Sequence, residues 1–182
     1  MTAIAAADLT AGTWVIDPVH SSINFSVRHL MVSKVRGGFA TFNGAVVVAE
    51  DGTPSVSATI DVNSITTRNA QRDEHLRSAD FLDTENHPTA TFVSTGVRSR
   101  GDGYLVDGEF TLKGVTKPVS LDLEFRGVNP GMGQGAVAGF EASIVLNRRD
   151  FGIDIEMPLE TGGMVVGDKV TITLDIEAVR QG

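Results

Sequence analysis

Hydrophobic and polar residues alternate with a period of two along most of this chain. In VSLDLEF, 119–125, Val119, Leu121, Leu123 and Phe125 alternate with Ser120, Asp122 and Glu124. In VTITLDIEA, 170–178, Val170, Ile172, Leu174, Ile176 and Ala178 face one way, and Thr171, Thr173, Asp175 and Glu177 the other. The same rhythm runs from Ala136 to Leu146, Tyr104 to Leu112, Val56 to Val62 and Ile23 to Val27. Successive side chains of a strand point to opposite faces, so the pattern predicts antiparallel strands with one dry and one wet face. About eight strands result, over 13–28 (bent at Pro18), 36–50, 55–63, 89–98, 103–112, 118–127, 135–147 and 169–179. EDGTP, SRGDG, LKGVTKP and VNPGMGQG supply turns between them, with a tight hairpin expected near Gly114. Only 68–80 lacks both the alternation and turn residues, and it is read as the one short helix.

Several of these strands reach ten residues, or about 33 Å. Long strands that are dry on one side bury that side economically by closing into a barrel. One helix cannot cover eight strands. Ala58, Gly108, Ala136, Ala138 and Ala142 fall on the dry faces, and such small residues favour a hollow interior. On the pattern alone, a sandwich with a filled core stays open.

Composition narrows the functional classes. The 182 residues suit one domain, and the formal net charge of -8 disfavours nucleic acid as a partner. The chain has no cysteine, which removes disulfides, thiolate metal sites and a Cys nucleophile. MTAIAAADLTAG lacks the basic start of an export signal and is interrupted by Asp8, so 1–12 is read as a flexible lead-in to a domain over 13–182. No run approaches the roughly 18 apolar residues of a membrane span. A cytoplasmic protein is the expectation.

Familiar motifs fail on context. GMGQGA, 131–136, satisfies a dinucleotide pattern, but a strand follows where a helix is needed. GGMVVGDK, 162–169, carries Asp168 where a phosphate loop needs lysine. His20, His29, His75 and His87 show no metal-ligand spacing, so no metal or other cofactor is expected.

The densest polar cluster is QRDEHLRSADF, 71–81. On a helix, Asn69 or Thr67 can cap it, Asp73 and Glu74 sit at the favourable end of the dipole, and Asp73 pairs with Arg77. Arg72 falls on the stripe of Leu76 and Ala79, and His75 lies beside it. A buried partner carboxylate or an anionic ligand group would account for that inward cation. Phe81 and Leu82 follow as plugs for an apolar surface. Asp73 with His75 or His20 is the acid–base pair an enzyme could use, but no complete nucleophile or metal constellation accompanies it, so no catalytic residue is expected.

Five segments closely resemble the YceI-like family of polyisoprenoid-binding proteins: WVIDPVHSSINFSVRHLMVSKVRGGFATFNG, SITTRNAQRDEHLRSADFLD, HPTATFVST, GEFTLKGVTKPVSL and NRRDFGID. The family motif is matched at Asp17, His20, Ser21, Phe25, His29, Arg72, Asp73, His75, Leu76, Phe81, Arg148, Asp150 and Phe151. The resemblance implies a single extended, eight-stranded, lipocalin-like antiparallel barrel of bacterial type, with the helix at its mouth. It also implies non-enzymatic binding, storage or transport of a long-chain isoprenoid lipid of the polyprenyl phosphate or quinone type. Phe25, Phe39, Phe42, Phe92, Phe110, Phe125 and Phe140, with Leu76, Phe81 and Phe151, are then the expected lumen. His20, His29, Arg72, Asp73 and His75 are the expected rim for a head group. A homodimer and transient membrane contact are compatible with the resemblance. Core filling remains the alternative for any single Phe, and fixing a strand end is the alternative for Asn147, Arg148, Asp150 and Phe151.

Overall fold

Pro18 divides the first long hydrophobic segment into two strands, β1 (Gly12–Ile16) and β2 (Ser22–His29). Proline has no N–H for the ladder, and the Asp17 side chain closes the bend by accepting from the Val19 N–H at 2.9 Å. Both halves lie along one partner, β11 (Val166–Arg180), Ile16 opposite Ala178 and Ile23 opposite Leu174. The second segment is also divided, into β3 (Ser33–Phe39) and β4 (Phe42–Val48). The N–H groups of Ala40 and Thr41 between them both donate to Ser64. The structure, a computed structural model, describes residues 9–30, 32–155 and 166–182.

The remaining strands are β5 (Pro54–Asp61), the short β6 (Ile65–Thr66), β7 (Thr89–Arg100), β8 (Gly103–Leu112), β9 (Val115–Asn129) and β10 (Val137–Asn147). The order β1-β4-β5-β7-β8-β9-β10-β11-β2-β3-β6, with β1 also on β11, closes the sheet. With β1–β2 and β3–β4 each counted as one interrupted strand, this is a closed eight-stranded antiparallel barrel, as the alternation predicts. Every pairing between these strands is antiparallel. The β8–β9 turn uses Lys113 and Gly114, both at positive φ (51° and 75°), the signature of a two-residue hairpin with the strands' own twist. GMGQGA connects β9 to β10, as expected. The first half of GGMVVGDK, 162–165, lies outside the described residues, and Val166–Lys169 belongs to β11.

The helix is shorter than predicted: α1 spans Ala70–Arg77, not 68–80. Arg68 takes a positive φ of 62°, and the Asn69 side chain accepts from the Arg72 N–H at 3.0 Å, so the cap falls at Asn69. At the other end Ser78 is extended and its hydroxyl bonds the His75 carbonyl, ending the helix before Ala79.

The two barrel ends differ. At the β1 end Trp14, wholly buried, packs with Leu9, Val46, Val48, Ala138, Phe140 and Ala178. Leu9 falls within the lead-in expected over 1–12, so contacts with the barrel begin before β1. At the other end Phe81 and Leu82 bury themselves against Val62, Ile65, Ala90 and Ile153. Lys113 Nζ, reaching the carbonyls of Ala79 and Gly152, ties this cover together. No helix among the described residues is long and apolar enough to cross a membrane.

Candidate binding cavity

Between these ends lies a cavity of about 260 Å³. Its wall is built from the inward positions of nearly every strand: Val27 on β2, Ala58 on β5, Val106 on β8, Leu121 on β9, Ile144 on β10 and Ile172 on β11. These are the residues whose period-two spacing marks the dry face. Two glycines let rings lie flat inside it. A Cβ at Gly37 would stand 2.5 Å from the Phe25 ring, and one at Gly108 would stand 2.5 Å from the Phe92 ring. Phe25 also tilts against Phe39 with ring centroids 5.7 Å apart, and Phe110 meets Phe151 edge-on at 5.5 Å.

The expected lumen residues Phe25, Phe39, Phe42, Phe92, Phe110 and Phe140 line this cavity. So do Leu76, Phe81 and Phe151. Phe125 does not. It stacks on Phe140, 5.4 Å between centroids, and packs with the Trp14 cluster at the shut end. It keeps the register of Leu123 and the inward row, and the shift at Gly139–Phe140, where β10 meets β9, begins just beyond it.

The five expected rim residues are not brought together, and none of them lines the cavity. His20 stands at the Pro18 bend, its Nδ1 donating to Asp17 at 2.7 Å with Glu177 at 3.7 Å. That bond and the two carboxylate charges raise the His20 pKa, and the same bond lowers that of Asp17. Asp17, His20 and Glu177 form a solvent-facing trio. His29 ends β2 opposite Ser33.

On α1, Asp73 is buried and accepts from both the N–H (2.8 Å) and the hydroxyl (2.5 Å) of Thr67. It therefore makes no pair with Arg77, which donates instead to the carbonyls of Asn63 and Ile65. Arg72 pairs with no carboxylate among the described residues. Its guanidinium spans the Thr67 hydroxyl (2.7 Å) and carbonyl (2.9 Å). Thr67 is thus clamped by Asp73 from one side and Arg72 from the other, which fixes α1 to β6. His75 pairs with Asp80 at 3.2 Å and sets its edge on Phe81, rings 5.0 Å apart. The densest polar cluster in the sequence locks the cover of the barrel.

One charged residue, among those described, does line the cavity: Arg148. The Asn147 side chain caps a 3₁₀ turn over Arg148–Phe151, which swings Arg148 inward. Its Nε donates to the Gly167 carbonyl (3.0 Å), Nη1 to that of Ile153 (2.6 Å), and Nη2 lies 3.3 Å from Asp168. The sequence held the clue, because counting by two from Ile144 through Leu146 arrives at Arg148.

The fold and cavity define a closed antiparallel barrel with an apolar interior. The chain belongs to the YceI-like domain family, which it matches over residues 14–178. It is 38% identical to a UPF0312 protein of Pseudomonas aeruginosa strain LESB58, over 89% of this chain and 83% of that one. Among solved structures, Burkholderia cenocepacia BcnA shares the fold with a TM-score of 0.75 and 23% identity, covering 90% of this chain and 99% of that one. A polyisoprenoid binding domain from Saccharophagus degradans, implicated in plant cell wall breakdown, has a TM-score of 0.71 at 15% identity, over 92% of this chain and 98% of that one.

Proposed function

We propose that this protein is a non-enzymatic binder that carries or stores a long-chain polyisoprenoid lipid inside its barrel. The observation that supports this most is the cavity itself, apolar on all sides but at Arg148 and shut at one end by Trp14. A dry apolar cavity of roughly 150 Å³ is enough to take up benzene. At about 260 Å³ this one has room for more than one five-carbon unit with its wall at rest. Each such unit withdrawn from water contributes roughly 3–4 kcal/mol before the costs of immobilisation. Longer chains would run along the rings of the wall, Phe25, Phe39 and Phe110, which are only half-buried. The name of the Saccharophagus degradans domain, which shares this fold, lends the ligand class further support.

In this reading the wall phenylalanines and Leu76 and Phe81 touch the chain, and the polar end of the lipid rests near Arg148. Arg72, Asp73 and His75 hold the cover, and His20 holds the β1–β2 bend; these four are not assigned to the ligand. Asp73 and His75, the acid–base candidates, face Thr67 and Asp80 outside the cavity wall.

Organic extraction of the purified protein followed by mass spectrometry tests this. A bound compound with the repeating mass of isoprene units is expected. Repeated preparations that contain no lipid, and that take up neither geranylgeraniol nor a prenyl phosphate when offered, would overturn the proposal.

A further inference from the structure

We infer that the β2–β3 hairpin is a docking element for anionic membrane, placing the barrel's opening against the lipid surface. This inference rests on the lipid-binding reading and names the surface from which the ligand is exchanged. The hairpin's outward positions carry Arg28, Lys34 and Arg36, all exposed, with Arg28 directly opposite Lys34. None of the three makes an ion pair with a carboxylate among the described residues. Unpaired cations side by side are unusual on a chain with 23 acidic and 15 basic residues. Like charges directly across a ladder destabilise it, so this arrangement works against the fold.

The tip is as unusual as its flanks. Between His29 and Ser33 the sequence reads LMV, where a turn normally carries Gly, Asn or Asp. Leu30 adopts a positive φ of 53° that a bulky side chain disfavours, and it is 40% exposed. Val32 is 85% exposed. Leu30 and Val32 held in water at the tip, with Arg28, Lys34 and Arg36 on the flanking strands, match a bilayer surface in both respects: the apolar side chains insert and the cations meet anionic head groups.

The geometry ties this element to the cavity. Among the described residues, β3 has a ladder partner from Ser33 to Gly37 on the β2 side only, because β6 pairs with just Gly38 and Phe39. No strand among the described residues covers that side of the hairpin. Val27 at its base and Val166, the partner of His29, both line the cavity. A lipid leaving the bilayer at the tip would pass the polar pair His29–Ser33 and then meet the apolar wall at Val27. The net charge of -8 does not oppose this docking, since interactions between exposed charges fade beyond about 10 Å at 0.1 M salt.

The test is co-sedimentation of the full chain with vesicles of phosphatidylcholine alone and of an equimolar phosphatidylcholine–phosphatidylglycerol mixture, at low and high salt. Association with the anionic vesicles alone, lost at high salt, is expected. The triple variant Arg28→Gln/Lys34→Gln/Arg36→Gln should bind them roughly 100-fold more weakly. Val32→Ser should weaken binding without changing its salt dependence. Emission from Trp14, the single tryptophan, reports that each variant is folded. Equal binding to both vesicle types, or wild-type binding by the folded variants, would overturn the inference. So would variants that instead shift a dimer to a monomer, which would make a second copy the hairpin's partner. Lipid content of each preparation is measured alongside. An empty cavity in a protein that still docks through the hairpin overturns the lipid-carrier reading and leaves the docking surface standing.

Discussion

The ring of Phe25 lies over Gly37, its opposite number on the neighbouring strand, so closely that no Cβ fits between them. The Gly37 position is also walled by the Thr66 carbonyl, 2.7 Å from where a Cβ would stand. Gly37→Ala must displace either the ring or the β3–β6 seam. We expect a loss of about 1–3 kcal/mol, typical of overpacking, measured by urea denaturation. Gly139, where a Cβ would meet only Arg126 Cβ at 3.5 Å, is the control, and Gly139→Ala should cost distinctly less.

Trp14 seals the end of the barrel opposite α1. Its indole Nε1 donates to the Thr10 carbonyl at 3.0 Å, and none of the side chain reaches solvent. Trp14→Ala should cost about 3–5 kcal/mol and open the shut end to water. Replacement by Phe keeps most of the volume and should recover the greater part of that loss. Thermal unfolding followed by circular dichroism checks both.

The His20–Asp17 contact makes stability depend on pH in a defined window. The His20 pKa is raised above its ordinary 6.5, first by the hydrogen bond to Asp17 and then by the charges of Asp17 and Glu177. Its contribution is therefore complete below 6.5 and is lost as pH rises through the higher folded value. Asp17 is shifted down from 3.8, so its contribution is present above that value and disappears as pH falls through the lower one. The difference in stability between wild type and His20→Gln should be largest between these limits and shrink on both sides. Asp107, held by Arg98 and Ser120, is lowered further, to about 2. Proton titration by NMR should find it still ionised where Asp17 has taken up its proton.

Alternation gave the barrel away, because each strand here has one apolar face and a closed sheet has only one inside. Val170 to Ala178 on β11 and Tyr104 to Leu112 on β8 show why so much was legible: both run without interruption in the predicted phase. Two kinds of feature were not. The break at Ala40–Thr41 depends on Ser64, 23 residues away, which no local pattern reveals. The polar contacts of α1 also depend on distant partners. Arg72 and Asp73 both turn to Thr67, a neutral residue that charge counting passes over. Arg148 falls on the inward spacing, but beside Asn147 and Asp150 it reads only as fixing a strand end. A guanidinium is tolerated in the wall because two backbone carbonyls and Asp168 receive it.

Arg148 therefore supports the fold and faces the cavity at once. Arg148→Met removes the donors to the Gly167 and Ile153 carbonyls and should cost about 2–4 kcal/mol. Arg148→Lys retains a cation but cannot reproduce the fork, so it should recover only part of that stability. If the polar end of the lipid rests there, Arg148→Lys should also alter the ratio of anionic to neutral lipids extracted. A ratio identical to wild type would place the head group elsewhere.

Ala58 and Ala142 offer the most direct test of whether the interior is a binding space. Ala58 on β5 and Ala142 on β10 both line the cavity, and neither carries a polar contact that a larger side chain would break. Ala142→Leu adds three carbons to the space a lipid would use. Where the added carbons fill empty volume, each contributes up to about 0.8 kcal/mol; where the site is already tight, overpacking costs about 1–3 kcal/mol. A hollow barrel thus predicts that Ala142→Leu keeps or raises stability in the lipid-free protein, and that Ala58→Leu/Ala142→Leu together exclude the lipid. A filled core predicts the opposite sign for stability and no change in extractable lipid. Calorimetry on delipidated protein, with mass spectrometry on the native preparation, separates the two.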